Sequence, residues 1–345
     1  MTPAPPAPTS SSRWTACVTE YILAMRPHTF TAAVVPILLT AAVTGQSFKS
    51  PAFLRALAMG VSVQAAANLS NTYYDFRNGV DNKDTALAGG DKALVEAKLV
   101  TCHGVLALSL VFYFLGALAV YPALMSHAAG ARLSLIFVAG VGLAFFYTAG
   151  PMGYALKYIA LGDITIYLCF GPLLMQGTSI MMTGETNNWL YLYSVPVGLL
   201  TEAILHVRCS QPLSAYLLLL FRRADLSNAT APIQANNARD IKTDIKAGAT
   251  TLASLIGLTN SFRLYAGLLA GSYLAVAAIA LHLNWGVLST LLVAPLAVGL
   301  VRAFAAGKLK DLDEETAKFH LPFGVLLVLG VLLTDRGLLQ ALTSK

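Results

Sequence analysis

Apolar runs of membrane-crossing length constrain this chain more than any other feature. A spanning helix needs roughly 20 mostly apolar residues. Such runs recur near 28–46, 52–73, 99–121, 132–150, 158–182, 189–206, 262–283, 285–305 and 320–341. The expected fold is therefore all-α and polytopic, with about nine transmembrane helices in the lipid bilayer. Composition agrees: only 12% of residues are charged, against about 25% in a soluble domain. SAYLLLLF at 214–221 is too short to cross by itself. The opening MTPAPPAPTSSS is rich in Pro and Ser, and residues 1–20 read as a disordered tail before a membrane domain at 21–345. It has neither the basic start and apolar core of a secretory signal nor the Arg content of a transit peptide, so targeting falls to the membrane helices.

Nine spans divide the loops between two sides. With that division Lys49, Arg55, Arg132, Arg336 and Lys345 fall opposite the N-terminus, leaving 18 of the 23 Lys and Arg on the N-terminal side. Basic residues collect on cytoplasmic loops, so the N-terminus is expected in the cytoplasm. The same rule accounts for the net charge of +6 without a nucleic-acid partner. Four widely spaced cysteines with no CxxC give neither a disulfide framework nor a zinc site.

Two acidic stretches fall on the N-terminal side. In NTYYDFRNGVDNKD, residues 71–84, Asn71 and Asp75 are four apart and share a helix face, with Asn68 joining them. Gly79 marks the expected helix end, which lets Asp81 fold back. In NNARDIKTDIKAG, residues 236–248, Asn236, Asp240 and Asp244 recur at i, i+4 and i+8, with Asn237 beside them. Carboxylate and amide oxygens suit Mg²⁺, which readily takes substrate phosphates as further ligands. Lys83, Arg239, Lys242 and Lys246 lie among the acids. A cation store has little use for them, whereas a site that holds a diphosphate through Mg²⁺ uses both charges. A transporter would place its carboxylates near the bilayer midplane; these sit at span ends.

These stretches, with YTAGPMGYALKYIALGD at 147–163, FGPL at 170–173 and TEAILH at 201–206, resemble the UbiA superfamily of intramembrane prenyltransferases, and within it the menaquinone branch. The resemblance implies helices around a central cavity that joins a polyprenyl diphosphate, with geranylgeranyl as the expected chain, to a naphthoquinone-type aromatic acceptor. A ubiquinone-type acceptor, or a non-enzymatic isoprenoid-binding role, stays open. By position, it implies that Asn71, Asp75 and Asp81 serve one Mg²⁺, and Asp240 and Asp244 another. Lys83, Arg239, Lys157, Asn71 and Asn237 would meet the diphosphate. Asp75, Asp240, Tyr147 and Lys157 would form the catalytic set. Tyr147 reads equally as an interfacial anchor, and Lys157 as a positive-inside residue. Glu202 is read as a buried, hydrogen-bonded packing residue, and His206 stays open between structure and ligation. An endomembrane (ER or Golgi) or mitochondrial membrane is the expected location.

One departure stands out. In the family pattern ILH runs almost directly into the second motif; here residues 207–234 intervene. Val207 is encoded by a GT-initial codon and Gln234 is compatible with CAG, the boundaries of an intron. Removing the segment in frame restores ILHANNARD. It reads either as a retained intron or as a genuine cytoplasmic insertion.

Overall fold

The computed structural model describes residues 10–79, 94, 100–126, 129–149, 155–159, 161–221, 252–309 and 312–335. Apart from a bridge residue at Ile159, every described element is a helix. In chain order these are α1 (Ser10–Ala24), α2 (Thr31–Val43), α3 (Pro51–Arg77), α4 (Cys102–Leu124), α5 (Gly130–Phe146) and α6 (Gly162–Leu168). There follow α7 (Leu174–Thr183), α8 (Trp189–Phe221), α9 (Leu252–His282), α10 (Ala294–Ala305) and α11 (Leu312–Asp335). A π-helical turn at Cys169–Leu173 joins α6 to α7, and a 3₁₀ helix at Trp285–Val293 leads into α10.

Six helices among the described residues are long and apolar enough to cross a membrane. Counting α1 and α2 as one span bent by 40° makes seven. The expected spans at 132–150 and 189–206 meet shorter apolar stretches, Gly130–Phe146 and Trp189–Ile204. α1 overlaps the segment read as a disordered tail, and residues 10–20 are helical. The prolines that argue against helix in the tail end at Pro8. SAYLLLLF is likewise not a separate piece but the end of the 33-residue α8. No glycine interrupts residues 207–221, and the helix of the sixth span continues through Pro212, a residue that membrane helices tolerate. At 1.5 Å per residue it is about 50 Å long, well beyond the roughly 30 Å hydrocarbon core.

α2 sits at the centre of the bundle. It is apolar all round, the signature of a helix buried on every side. Val35 and Leu39 enter one core with Leu200 of α8, Tyr265 of α9 and Phe323 of α11. Ile37 and Ala41 enter another with Phe53 and Met59 of α3, Val120 of α4 and Ile180 of α7. The periphery reverses this pattern. α4 buries Val105, Ser109, Gly116 and Val120 and turns Leu110, Phe114 and Leu118 outward, each more than half exposed. Bilayer lipid is the solvent that tolerates such a surface.

Local chemistry explains the breaks. α1 ends at Ala24, Arg26 follows with a left-handed φ of 52°, and Pro27 then opens a 3₁₀ turn. The Asn68 side-chain amide of α3 donates to Met25 O at 2.7 Å and Thr29 Oγ1 at 2.8 Å, holding the break against α3. The π turn contains Pro172, which has no N–H for the helical ladder. At the opposite end of the bundle Gln176 closes the 184–188 connection. Its Nε2 donates to Asn187 O at 2.8 Å, and Asn187 N donates to its Oε1 at 3.1 Å. α3 ends where Gly79 adopts φ 75°, as expected for that glycine.

Candidate functional site

Three segments meet at one rim: the end of α3, the start of α6, and the Glu202–His206 turn within α8. Asn71 and Asp75, one turn apart on α3, are both buried. Lys157 lies on the short 3₁₀ turn before α6. Its Nζ donates to Asn71 Oδ1 at 2.8 Å and to both Asp75 oxygens at 2.6 Å. The pair is shielded, with side chains only 13% and 7% exposed. Residues 82 positions apart are thus joined by a charge-assisted contact that low local polarity strengthens.

Tyr147 caps the end of α5, and its carbonyl accepts from Lys157 N at 3.1 Å. Gly162 makes the junction compact. A Cβ there would lie 3.1 Å from Lys157 Cα and 3.2 Å from the Tyr147 ring. The structure therefore brings Asn71, Asp75, Tyr147 and Lys157 together. Asp81, Lys83, Asn237, Arg239, Asp240 and Asp244 lie outside the described residues. Aromatic rings gather around Phe145, two residues before Tyr147. Tyr74, next to Asp75, packs edge-on against Phe145 at 6.0 Å, which also meets Tyr113 at 6.3 Å and Phe146 at 5.4 Å. Asn68 shares the helix face, but its amide nitrogen is committed to the α1 break.

A second polar cluster lies at the same rim, built by the antiparallel packing of α6 with α8. A Cβ on Gly171 would come 3.3 Å from Ser194 O, and one on Gly198 would come 2.9 Å from the Tyr167 ring. Glycines at these points let the helices approach closely. One turn further along each helix, Asp163 meets Glu202 and His206. His206 Nδ1 donates to Asp163 Oδ1 at 3.1 Å, and the ligand atoms of all three residues lie within 4.8 Å of one another. Glu202 is 5% exposed and its carboxyl hydrogen-bonds that of Asp163, while His206 Nε2 has no partner. The expectation of a buried, hydrogen-bonded residue at Glu202 holds, with Asp163 as its partner. The sequence held a signal for the cluster: Gly198, Glu202 and His206 recur at i, i+4 and i+8, opposite Asp163, Tyr167 and Gly171 at the same spacing.

Comparison with known proteins adds an independent line. A sequence model described as the UbiA prenyltransferase family matches residues 33–216 and 226–329. The chain is similar to UbiA prenyltransferase domain-containing protein 1 of Rattus norvegicus, 33% identical over 333 residues, covering 95% of this chain and 88% of that protein. The Homo sapiens protein of that name is 33% identical, with 94% and 86% covered, and that of Dictyostelium discoideum 32%, with 91% and 87% covered. In fold the chain is similar to a digeranylgeranylglyceryl phosphate synthase, with a TM-score of 0.56 at 12% identity, covering 94% of this chain and all of the other. It is also similar to a UbiA homologue from Archaeoglobus fulgidus solved with GPP and Mg²⁺, with a TM-score of 0.54 at 11% identity, covering 90% and 99%.

Proposed function

The chain belongs to the UbiA prenyltransferase family, an integral, multi-pass membrane transferase of prenyl groups, and from that premise we propose that it joins a polyprenyl diphosphate to a naphthoquinone-type acceptor in menaquinone (vitamin K₂) biosynthesis, with geranylgeranyl diphosphate as donor. The full arrangement is nine spans around a cavity open to lipid, with the N-terminus and the diphosphate site on the cytoplasmic face of an endomembrane or mitochondrial membrane. The observation that carries the reading is the buried contact of Lys157 with Asn71 and Asp75. Three oxygens converge there on one cationic atom.

That convergence fits Mg²⁺, because the donors are hard oxygens already arranged around positive charge. Asn71 and Asp75, with Asp81, would hold one ion, and Asp240 and Asp244 another. When bound, Mg²⁺ supplies positive charge against the diphosphate leaving group. The chain does the rest. Lys157, swinging from Asp75 toward the phosphates, places a fixed cation where negative charge develops. Lys83, Arg239 and Asn237 complete that contact. The faces of Tyr74, Tyr113 and Phe145 offer a negative quadrupole to the allylic cation, and Tyr147 lines the route to the acceptor. Apolar helices exclude water that would convert the cation to an alcohol.

The test is to incubate the purified full-length protein with labelled geranylgeranyl diphosphate and a panel of naphthoquinone and benzoate acceptors, and to identify products by mass. A prenylated naphthoquinone is expected, and Asp75→Ala should reduce its formation by about 10²–10³ or more. Product only from the benzoate would move the chain to the ubiquinone-type reaction. No transfer to any acceptor, with donor still bound, would favour a non-enzymatic isoprenoid-binding role.

A further inference from the structure

α5 packs along α6, the π turn and α7, and the spacing of that seam changes along its length. At the rim, a Cβ on Gly162 would lie 3.2 Å from the Tyr147 ring. At the far end, a Cβ on Gly177 of α7 would lie 3.2 Å from Ile136 and 4.0 Å from Leu133. Glycine thus closes the seam at both ends. Between them stands Gly140, where a Cβ would meet nothing within 4 Å. The open side is not the lipid side. Leu133, Gly140 and Tyr147 recur at intervals of seven and so share one face of α5. Leu133 on that face is buried in a core that Ile136 also packs against. Leu135, Gly142 and Phe146 share the opposite face, where Leu135 and Phe146 are each more than half exposed. Across the inward gap lies Cys169 of the π turn, its Sγ 4.0 Å from Gly140 O. A thiol of this kind behaves as a small hydrophobe, and Ala144, one turn toward the rim, is small as well.

We infer that Gly140 sets the length of prenyl chain the protein accepts: the gap over it takes the middle of the chain, and Ile136 stands at its floor. The inference rests on the diphosphate being held at the rim beside Tyr147, as proposed above. Gly140 lies about 10 Å along α5 from Tyr147, and Ile136 about 16 Å. A short donor held at the rim does not reach Gly140, and a long one must pass it. The occupant that fits is apolar, because a water needs several polar partners, and Gly140, Ala144 and Cys169 supply only a carbonyl that already faces a thiol. The π turn belongs to the same design, since such turns displace a helix locally and recur at functional positions. Here it sits opposite the one stretch of the seam that glycine does not close.

The full-length protein, purified in detergent with Mg²⁺, is given labelled farnesyl diphosphate, and unlabelled geranyl, geranylgeranyl and geranylfarnesyl diphosphates compete for it without any acceptor. The readout is the ranking of donors rather than the total bound. Gly140→Leu should lower the preference for geranylgeranyl over geranyl diphosphate about tenfold or more, the discrimination that small changes in an apolar site allow. Gly142→Leu, the same change on the lipid face, should leave the ranking as in wild type. Ile136→Ala should shift the ranking the other way, toward geranylfarnesyl diphosphate. An unchanged ranking in Gly140→Leu overturns the inference and gives the gap to an acyl chain of the bilayer, and an equal shift in Gly142→Leu overturns it too. Should Gly140→Leu fail to fold, Gly140→Val and Ile136→Ala decide the matter: an unchanged ranking in both rejects the role of Gly140. The stated shifts in donor ranking, with no transfer to any aromatic acceptor, would support the chain-length role and count only against the proposed reaction.

Discussion

Lys157 holds two roles that compete for one ammonium. In the structure it neutralises Asp75; in the proposed reaction it faces the phosphates. A metal ion on Asn71 and Asp75 would release it from the first role to perform the second. The expected consequence is specific. Lys157→Ala leaves Asp75 buried without this counter-charge, and breaking a buried pair costs about 3–5 kcal/mol. Thermal unfolding in detergent should show that loss without divalent ions and recover much of it on adding Mg²⁺. Equal destabilisation with and without Mg²⁺ would mean that no ion takes the place of the ammonium. The pairing was only half legible in the sequence. Asn71 and Asp75 follow from helical spacing, because a period of 3.6 puts i and i+4 on one face. That Lys157 reaches them across 82 residues is tertiary information. The partner of Glu202 was hidden for a related reason: spacing says that a side chain faces inward, not that Asp163 waits there to bond it.

Among the elements, the α6–α8 contact governs the site, and glycine sets its distance. Gly198→Ala would drive a Cβ to 2.9 Å from the Tyr167 ring, parting the helices or displacing the ring, and overpacking of this kind costs about 1–3 kcal/mol. Gly267 of α9 has nothing within 4 Å of a built Cβ, so Gly267→Ala should be neutral or mildly stabilising through helix propensity. Comparing the two melting temperatures in one detergent checks the argument; parity between them would refute close packing at Gly198. Spans were easy to read because hydrocarbon imposes length and apolarity on any crossing helix. Their ends were not. The continuation of α8 to Phe221 passes Pro212, which in the sequence signals a break, so the local cue pointed away from the helix that forms. That continuation also bears on segment 207–234. With it removed, Asp240 follows His206 by six residues, about 9 Å along a helix, and the second acidic motif returns to the rim where α3 and α6 meet. Sequencing the spliced message should show it without these codons, and protein deleted for 207–234 should transfer prenyl groups at least as fast as the full chain. A message that always contains them, together with activity lost on deletion, would establish a genuine insertion.

At the scale of the whole molecule, the decisive property is polarity between its two ends. One end closes tightly: Gln176 and Ser179 hydrogen-bond to the 184–188 turn, and Gly184 ends α7 in a left-handed conformation. The other end gathers Asn71, Asp75, Tyr147 and Lys157, and beside them Asp163, Glu202 and His206. The 184–188 connection and residues 44–50 lie at the ends of α7 and α3 remote from that rim. A diphosphate does not cross a bilayer unaided, since multiple charges in hydrocarbon are prohibitively costly, whereas a prenyl chain and a quinone dissolve in it. The reaction must then be one-sided in headgroup and ion, and two-sided in lipid. In sealed proteoliposomes sorted by orientation, transfer should occur when donor and Mg²⁺ are supplied to the face bearing the N-terminus. It should stop when a membrane-impermeant chelator is added to that face, and continue when the chelator is confined to the face bearing the 184–188 turn. Sensitivity to chelator on the second face alone would place the ion-binding rim on the wrong side and undo the charge-based orientation with it. Indifference to chelation on both faces would leave the orientation untested by this route but remove Mg²⁺ from the reaction, and with it the role proposed for Asp75.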